Sequence, residues 1–124
     1  METNYLFFNS RDELLRMDVS KIVYFEADGN YTKIILANKL CGVICMNLAQ
    51  TEKALATQLK EKAQSFARIG KRYIINLRYI YQINTIKQRL VLTDYKMFSY
   101  QLEVSKDALK KLKEIIITSV TNKL

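Results

Sequence analysis

The sequence predicts a mainly β domain of short antiparallel strands, with one central amphipathic helix and a C-terminal helix. Two patterns lead to this prediction. Short runs of β-branched and aromatic residues recur between turn residues, as they do in antiparallel sheets. Two other segments repeat apolar residues at the spacing of one helix face. With 124 residues, no proline and no linker-like segment, the chain is expected to form one domain over residues 1–124.

The first part of the chain is predicted to form hairpins. Its expected strands are Tyr5–Phe8, Leu14–Met17, Ile22–Ala27, Tyr31–Leu36 and Leu40–Met46. The second of these also fits a helical turn. The clearest turn is Asp28-Gly29-Asn30, because Gly and Asn adopt positive φ angles at low cost. After this turn, the alternation of a strand separates Thr32 and Ile34 from Lys33, which belongs to the opposite face.

The central helix is predicted from one apolar face, which consists of Leu48, Leu55, Leu59 and Ala63. Asn47 and Gln50 have the spacing of a capping box, in which each side chain accepts a hydrogen bond from the backbone of the other residue. Thr51 is an alternative cap for the start of this helix. Phe66 follows Ala63 by about one turn, so we expect it to close the helix over the sheet.

Strands return in the second part of the chain. The expected strands are Tyr73–Asn76, Ile80–Asn84, Arg89–Thr93 and Met97–Val104. Ser105 is suited to cap a final helix over about residues 105–121, and Asp107 suits the positive end of its dipole. The apolar face of this helix consists of Leu109, Leu112, Ile116 and Val120. We expect this face to pack either on its own domain or on a second copy of the chain.

The positive charge of the chain is concentrated in one block. The formal net charge is +8, and residues 66–113 supply all of it, with eleven Lys or Arg against three acidic residues. Residues 1–65 hold eight residues of each sign, and residues 114–124 hold one of each. Uniform basicity would indicate solubility alone, whereas a localised excess indicates a face that binds a polyanion.

This block begins with residues 66–83, which we call the basic stretch. Arg68, Lys71, Arg72 and Arg78 lie there within eleven positions that contain no acidic residue. Apolar and aromatic residues interleave with these cations, whereas a disordered basic tail would lack them. The stretch therefore predicts a folded element that presents cations, and nucleic acid is the expected partner.

Three blocks of the sequence carry a family resemblance. The central block is Phe66-x-Arg68-Ile69, followed by Tyr73-Ile74-Ile75-Asn76-Leu77 and Ile80. The others are residues 22–31 and Glu103-Val104-Ser105-Lys106. Together they cover about residues 18–113 and resemble the LytTR DNA-binding domain of bacterial transcription regulators. The resemblance implies a LytTR-like β fold and sequence-specific binding of double-stranded DNA in transcription regulation, with loops in the major groove.

The resemblance also implies which residues contact DNA. With Arg68 added from the basic stretch, the candidates are Asn30, Tyr31, Thr32, Lys33, Arg68, Lys71, Arg72 and Lys106. Family members usually have arginine where this chain has Lys106, and arginine matches the O6 and N7 acceptors of guanine. Lys106 is therefore expected to read a base. Lys33 is equally compatible with a side chain that simply faces solvent.

The loop of the basic stretch departs from the family pattern. Where the family commonly has His or Asn, then Arg or Lys, then Ser, this chain has Gly70, Lys71 and Arg72. A contact from His is lost and an additional cation is gained, which affects base specificity more than DNA affinity. Because Lys71 and Arg72 lie beside a glycine in a loop, we expect them to be mobile and to contact phosphates.

Two further sets of residues have structural rather than binding interpretations. Asn76 lies inside an apolar strand, where it is expected to satisfy buried backbone groups. Several tyrosines suggest stacking on a single strand, but in strands of period two they are expected to be half-buried sheet residues. These tyrosines are Tyr73, Tyr79, Tyr81, Tyr95 and Tyr100.

Enzymatic function is not predicted. The chain has no histidine, no pair of carboxylates that suggests a dyad for acid–base work and no glycine-rich phosphate loop. Cys41 and Cys45 are spaced to share one strand face, and no histidine completes a zinc site, so we expect buried, reduced thiols. Neither a metal nor another cofactor is expected.

Other functions remain open at this point. RNA or single-stranded nucleic acid would use the same basic face, and a protein-interaction module would present it to an acidic partner. We expect a cytoplasmic protein without a membrane segment, which binds double-stranded DNA as a homodimer or in tandem on repeated half-sites. The chain is either a fragment of a longer regulator or a small stand-alone one, and the Met1 start favours the latter.

Overall fold

The computed structural model describes residues 4–123, with side chains described as far as residue 120. The described chain forms two compact units. The first unit ends at Arg78, and the second begins at Tyr79. All strand pairings within each unit are antiparallel. In the first unit the pairing also joins residues that are distant in the sequence, such as Tyr24 and Ile75, whereas each strand pairing of the second unit joins consecutive strands.

The first unit combines a five-stranded sheet, a two-stranded ribbon and a helix. Its elements are β1 (Tyr5–Asn9), β2 (Leu14–Asp18), β3 (Ile22–Asp28), β4 (Tyr31–Leu36), β5 (Cys41–Ile44), α1 (Leu48–Leu59), β6 (Phe66–Ile69) and β7 (Tyr73–Asn76). The large sheet has the order β5-β4-β3-β7-β6, and β1 pairs only with β2. The longest strand, β3, is thus central, with β4 on one side and β7 on the other.

One hydrophobic cluster joins the parts of the first unit. Phe25, Ile34 and Ile74 contribute to it from the large sheet. The helix and the ribbon contribute Leu48, Leu55, Leu59, Leu6, Phe8 and Met17. Because these side chains come from every layer of the unit, burial of their apolar surface holds the helix and ribbon on one face of the sheet.

The second unit is a three-stranded sheet followed by a helix. Its elements are β8 (Ile80–Asn84), β9 (Arg89–Thr93), β10 (Ser99–Glu103) and α2 (Lys106–Lys123), and the strand order is β10-β9-β8. Leu109 and Leu112 are buried and α2 contacts β8, so the first turns of the helix pack on their own unit. Further along, Ile116 is half-buried and Val120 is exposed, so the expected apolar face is covered only at its start.

These elements confirm the predicted fold class of mainly β structure with a central and a C-terminal helix. The capping box is also confirmed, because Asn47 Oδ1 accepts from the Gln50 amide at 2.8 Å and Gln50 Oε1 accepts from the Asn47 amide at 2.9 Å. The helix ends earlier than predicted, because Lys60 adopts a φ of 53°. A 3₁₀ segment over Lys60–Ser65 follows and contains Ala63.

Two expectations are wrong, one about Phe66 and one about the two cysteines. Phe66 does not close α1; it begins β6, a strand that the sequence did not predict, and its ring meets Phe25 edge-on at 5.7 Å. Cys41 and Cys45 are exposed rather than buried, and both thiols are free. The strand β5 ends at Ile44, so Cys45 lies beyond the last paired residue, and the edge position of β5 leaves Cys41 uncovered.

Candidate nucleic-acid interface

Two turns of the first unit meet at one end of the five-stranded sheet. The β3–β4 turn covers residues 28–31, and the β6–β7 turn covers residues 70–72. Glu26 pairs with Tyr73 across β3 and β7, and the Ala27 amide donates to the Arg72 carbonyl at 2.8 Å. The two turns are therefore adjacent, and we call residues 28–31 and 70–72 the loop edge.

Glycine makes both turns of the loop edge tight. Gly29 and Gly70 each have a φ of 62°, a conformation that other residues adopt only at a cost. A Cβ atom at Gly29 would meet nothing within 4 Å, so the backbone angle, rather than a lack of space, requires glycine there. The turn residues predicted from the sequence thus form the turn that was expected.

The first turn presents side chains to solvent. Asn30 is exposed, and Tyr31 is 49% exposed. Lys33 follows on β4 and is partly exposed, with its Nζ atom 3.8 Å from the Asp28 carboxylate. These three predicted residues are accessible to a ligand, although Lys33 already has an acidic partner.

Thr32 is different, and its selection as a contact residue needs correction. Its side chain is completely buried. The Thr32 hydroxyl donates to the Met46 carbonyl at 2.9 Å and lies 3.2 Å from the hydroxyl of Thr51 in α1. Thr32 therefore ties β4 to the start of the helix and cannot reach DNA with its side chain. The strand alternation had already placed it on the face of Ile34.

Arg68 lies on β6 and leans toward the helix. Its Nη1 atom is 3.3 Å from Glu52 Oε1 of α1, and its side chain is only 30% exposed. It lines a groove together with Leu55 and Phe66. Arg68 is thus an ion-paired, partly covered cation rather than a fully presented one.

Arg72 is held by three contacts. Its Nη2 atom lies 3.2 Å from Glu26 Oε2, and its guanidinium lies 5.1 Å from the centre of the Tyr73 ring. Its carbonyl is the acceptor for Ala27 described above. The side chain is nevertheless 62% exposed. The guanidinium thus contacts a carboxylate from a neighbouring strand and an aromatic ring, and the expected mobility of Arg72 stays a prediction.

Lys71 contrasts with its neighbour. Its side chain is exposed, and it makes no ion pair among the residues that the structure describes. Three of the four cations on or beside the loop edge, Lys33, Arg68 and Arg72, have a carboxylate within 4 Å. Within the basic stretch, Arg68 and Arg72 therefore each have a neighbouring negative charge that the local sequence does not reveal.

The acidic partners are functional candidates that sequence reasoning missed. Glu26 interrupts the otherwise apolar strand Tyr24-Phe25-Glu26-Ala27, and its side chain is only 25% exposed. A carboxylate in such a place needs a partner, because a partly buried charge is costly when it is alone. An acid inside an apolar strand was the available signal, but it does not identify Arg72 as the partner.

Lys106 belongs to the second unit. It is the first residue of α2 and is exposed. The Ser105 hydroxyl accepts from the Ala108 amide at 3.3 Å, so the predicted cap is present and fixes the backbone before Lys106. The lysine thus projects from a defined position at the beginning of a helix.

Asn76 has the structural role that was expected. Its side chain is 3% exposed. Asn76 Nδ2 donates to the Ile22 carbonyl at 2.9 Å, and Asn76 Oδ1 accepts from the Arg78 amide at 3.0 Å. The side chain joins the end of β7 to the start of β3, so it stabilises backbone rather than contacting a ligand.

The tyrosines divide into two groups. Tyr73 is buried in β7 and Tyr100 is partly buried in β10, in agreement with a role in the sheets, whereas Tyr79 is buried in a 3₁₀ segment, Leu77–Tyr79. Tyr81 and Tyr95 are 59% and 78% exposed, and their rings meet edge-on at 6.0 Å. For these two the expectation of half-burial is wrong, because Tyr95 lies in a turn and Tyr81 extends from β8 beside it.

Residues 4–123 contain no cluster of His, Cys, Asp or Glu that could hold a metal ion. In the same part of the chain, neither helix is long and apolar enough to cross a membrane.

The fold and the loop edge define a mainly β protein that presents cations and hydrogen-bonding side chains from turns. The family model of the LytTr DNA-binding domain matches residues 12–117 of the chain. The chain therefore belongs to the LytTR family of DNA-binding domains, whose members bind DNA in transcription regulation and are not enzymes.

A solved structure is also similar to this chain. It is the LytTr DNA-binding domain of a response regulator from Bacillus cereus, with a TM-score of 0.65 and 20% sequence identity. The match covers 92% of this chain and 97% of that one. Among curated proteins, none matches. At this identity the structural similarity shows a common fold.

Proposed function

We propose that the chain binds specific sequences of double-stranded DNA and places its loop edge in the major groove. The observation that carries this proposal is the meeting of two turns at one end of the sheet. A major groove about 12 Å wide admits a two-stranded ribbon, and the tip of the β3–β4 hairpin, residues 28–31, extends past the last residue pairs that β3 and β4 make with β7 and β5. Asn30 and Tyr31 at its tip are exposed and have groups that form hydrogen bonds with base edges or phosphates.

The two units are proposed to act as one DNA-binding domain, since the family model extends across both of them. Lys71 contributes a phosphate contact, because it is exposed and makes no ion pair with a described residue. Lys33 and Arg68 contribute more weakly, since a phosphate must compete there with Asp28 or Glu52. We expect on the order of four to six phosphate contacts in total, including contacts from the second unit.

The dependence of DNA affinity on salt tests this proposal. Each neutralised phosphate should lower the logarithm of the affinity by about 0.9 for every tenfold increase in salt. Binding of the whole chain to duplex DNA, single-stranded DNA and RNA of equal length should be measured over a series of salt concentrations. A steep slope with preference for the duplex supports the proposal, and a nearly flat slope on all three contradicts it.

Single-stranded nucleic acid is the second candidate, and one observation favours it. The exposed rings of Tyr81 and Tyr95 offer faces on which bases can stack. In the same experiment, this function predicts tighter binding to single strands than to the duplex. The double variant Tyr81→Ala with Tyr95→Ala should then lose that binding and retain its melting temperature.

Lys106 is proposed to read a base from the second unit. Its position after a capped helix start supports this role, because a fixed backbone can direct a side chain to one base edge. Lys106→Ala should cost about 1–3 kcal/mol on a selected site and much less on random duplex. Lys110→Ala, one turn further along the exposed surface of α2, is the matched control. Equal losses on both duplexes would make Lys106 one more phosphate contact.

We also propose a cytoplasmic protein that occupies repeated half-sites, either as a homodimer or in tandem. The exposed residues Ile115, Ile117 and Val120 of α2 support contact with a second copy. Sedimentation analysis of the chain, alone and on DNA with one or two half-sites, distinguishes the two arrangements. A dimer without DNA supports the homodimer, and cooperative binding by monomers supports the tandem arrangement.

A further inference from the structure

The Arg72 side chain combines exposure with a fixed orientation. Its guanidinium has one carboxylate partner at 3.2 Å and one aromatic neighbour at 5.1 Å, yet the side chain is 62% exposed. The neighbouring ring is itself fixed, since Tyr73 is buried and meets Tyr24 edge-on at 5.9 Å. Both supports come from strands of the same sheet, so the guanidinium has a rigid base.

The hydrogen-bonding capacity of this guanidinium is only partly used by Glu26. Arginine has five N–H donors in a planar fork, and the contact with Glu26 Oε2 is made by Nη2. The donors that remain can form two parallel bonds to the O6 and N7 acceptors of guanine, which is the commonest specific contact in the major groove. Because the fork is oriented before binding, less conformational entropy is lost when the base is contacted.

The charge of Glu26 also discriminates between possible partners of Arg72. A phosphate carries a full negative charge, which the nearby carboxylate repels, whereas the acceptors of guanine are neutral. Arg72 is therefore better suited to a base edge than to the DNA backbone. Lys71, which has no carboxylate partner among the described residues, is suited to a phosphate. Two adjacent cations in one turn thus have different electrostatic surroundings.

We propose that Arg72 reads a guanine in the major groove and that Glu26 is the residue that positions it. The proposal rests on the proposed binding of specific duplex DNA and adds which residue of the loop edge selects a base. Arg68 has a similar ion pair, but its side chain is half as exposed and lies against α1, so it is not assigned this role.

The test begins by selecting bound sequences from a random duplex library with the wild-type chain. Selection is then repeated with Arg72→Lys, Glu26→Ala and the matched control Lys71→Ala. Each variant must first melt like the wild type. Affinity for the selected site, and for the same site with one base pair changed, is measured at fixed salt.

The expected result is a change confined to one position of the site. Arg72→Lys should reduce the preference for guanine at that position by roughly 5- to 150-fold, the range that one bidentate contact provides. Glu26→Ala should relax the same position without weakening binding to random duplex, because it removes a negative charge near the DNA. Lys71→Ala should weaken both duplexes equally and leave the selected sequence unchanged.

Other outcomes separate the two proposals. If the wild-type chain enriches no duplex sequence, the proposed function fails. If it enriches a sequence and Arg72→Lys selects the same one with the same preference, the inference fails while the proposed function stands. If Glu26→Ala weakens all duplexes alike or lowers the melting temperature, Glu26 is a structural residue and its assignment as a positioning residue is overturned.

Discussion

The β6–β7 turn of the first unit and the β9–β10 turn of the second each contain an exposed cation, but the carboxylates that contact the two turns act on different groups. In the β6–β7 turn, Glu26 comes from a neighbouring strand and contacts the guanidinium of Arg72. In the β9–β10 turn, Asp94 is part of the turn, and its Oδ1 atom accepts from the Lys96, Met97 and Phe98 amides at 2.9, 2.8 and 3.2 Å.

The two carboxylates therefore contact different parts of their turns, since Glu26 contacts a side chain and Asp94 contacts backbone amides. Asp94 fills donors that the turn would otherwise leave without partners, so it builds the turn itself. In the β6–β7 turn, the backbone is shaped by Gly70 and by the Ala27–Arg72 hydrogen bond. Glu26 contacts the guanidinium of Arg72 instead. Removing Asp94 should therefore change stability, whereas removing Glu26 should change recognition.

The largest effect on stability is expected for Asn76. Like Asp94, its side chain forms hydrogen bonds with backbone groups, but it is buried. Asn76→Ala leaves the Ile22 carbonyl and the Arg78 amide without this partner, at a cost of about 1–3 kcal/mol in the free energy of unfolding. Urea denaturation measures this loss. The DNA sequence selected by the folded variant should stay the same. An unchanged unfolding free energy together with lost DNA binding would show that Asn76 is a contact residue.

Asp94 is expected to have the next largest effect, and the effect depends on pH. Desolvation raises the pKa of Asp94, but the amides of Lys96, Met97 and Phe98 outweigh it, so the pKa lies below its ordinary value of 3.8. A lowered pKa in the folded state means that the ionised carboxylate stabilises the fold above the unfolded pKa. This contribution is lost as the pH falls through the folded pKa.

Asp94→Asn should therefore melt at a lower temperature than the wild type at neutral pH, and the difference should shrink below about pH 3.8. Thermal melting from pH 7 to pH 3 checks this expectation. Asp12→Asn, a change at an exposed surface carboxylate, is the control. A difference that stays constant down to pH 3 would contradict the role of the charged form.

A small effect on stability is expected for the pair of Glu26 and Arg72. Arg72 is 62% exposed, and ion pairs that reach solvent contribute only about 0–1 kcal/mol. A double-mutant cycle with Glu26→Ala and Arg72→Ala, measured by urea denaturation, gives this coupling energy. A coupling above about 2 kcal/mol would mean that the pair builds the fold, as Asp94 does, and the comparison between the two turns would break down.

The smallest effect on stability is expected for the exposed lysine of each turn. Lys71→Ala should leave the melting temperature unchanged and reduce the slope of log affinity against log salt by about 0.9, as expected for one lost phosphate contact. Lys96→Ala, from the β9–β10 turn, is the matched control and should leave this slope unchanged. An equal reduction by both variants would show that the β9–β10 turn also contacts DNA.

Most of the fold could be predicted from local sequence patterns. The β3–β4 hairpin and the capping box of α1 depend on neighbouring residues, so turn propensity and side-chain spacing were sufficient. The strand β6 was missed because it directly follows a 3₁₀ segment, which interrupts the period-two pattern before it. Cys41 and Cys45 were misjudged because period two identifies a shared face but does not say whether that face is covered.

The candidate site was predicted less completely than the fold. Its location in the β3–β4 and β6–β7 turns follows from Gly29, Gly70 and the adjacent cations, together with the family resemblance. Thr32 was included although it is buried, because a run of residues copied from a turn does not distinguish inward from outward side chains. The different electrostatic surroundings of Lys71 and Arg72 were not visible either, because the carboxylate beside Arg72 comes from a strand that is distant in the sequence.

The sequence by itself determined the family, the mainly β class and the segments that carry the positive charge, because these depend on residue type and local spacing. Only the tertiary structure decided which cations have carboxylate partners. Glu26 and Arg72 are 46 positions apart in the chain, and antiparallel pairing of β3 with β7 brings them to 3.2 Å. Coulomb interactions depend on distance in space, so the electrostatics of the loop edge exist only once the sheet has formed.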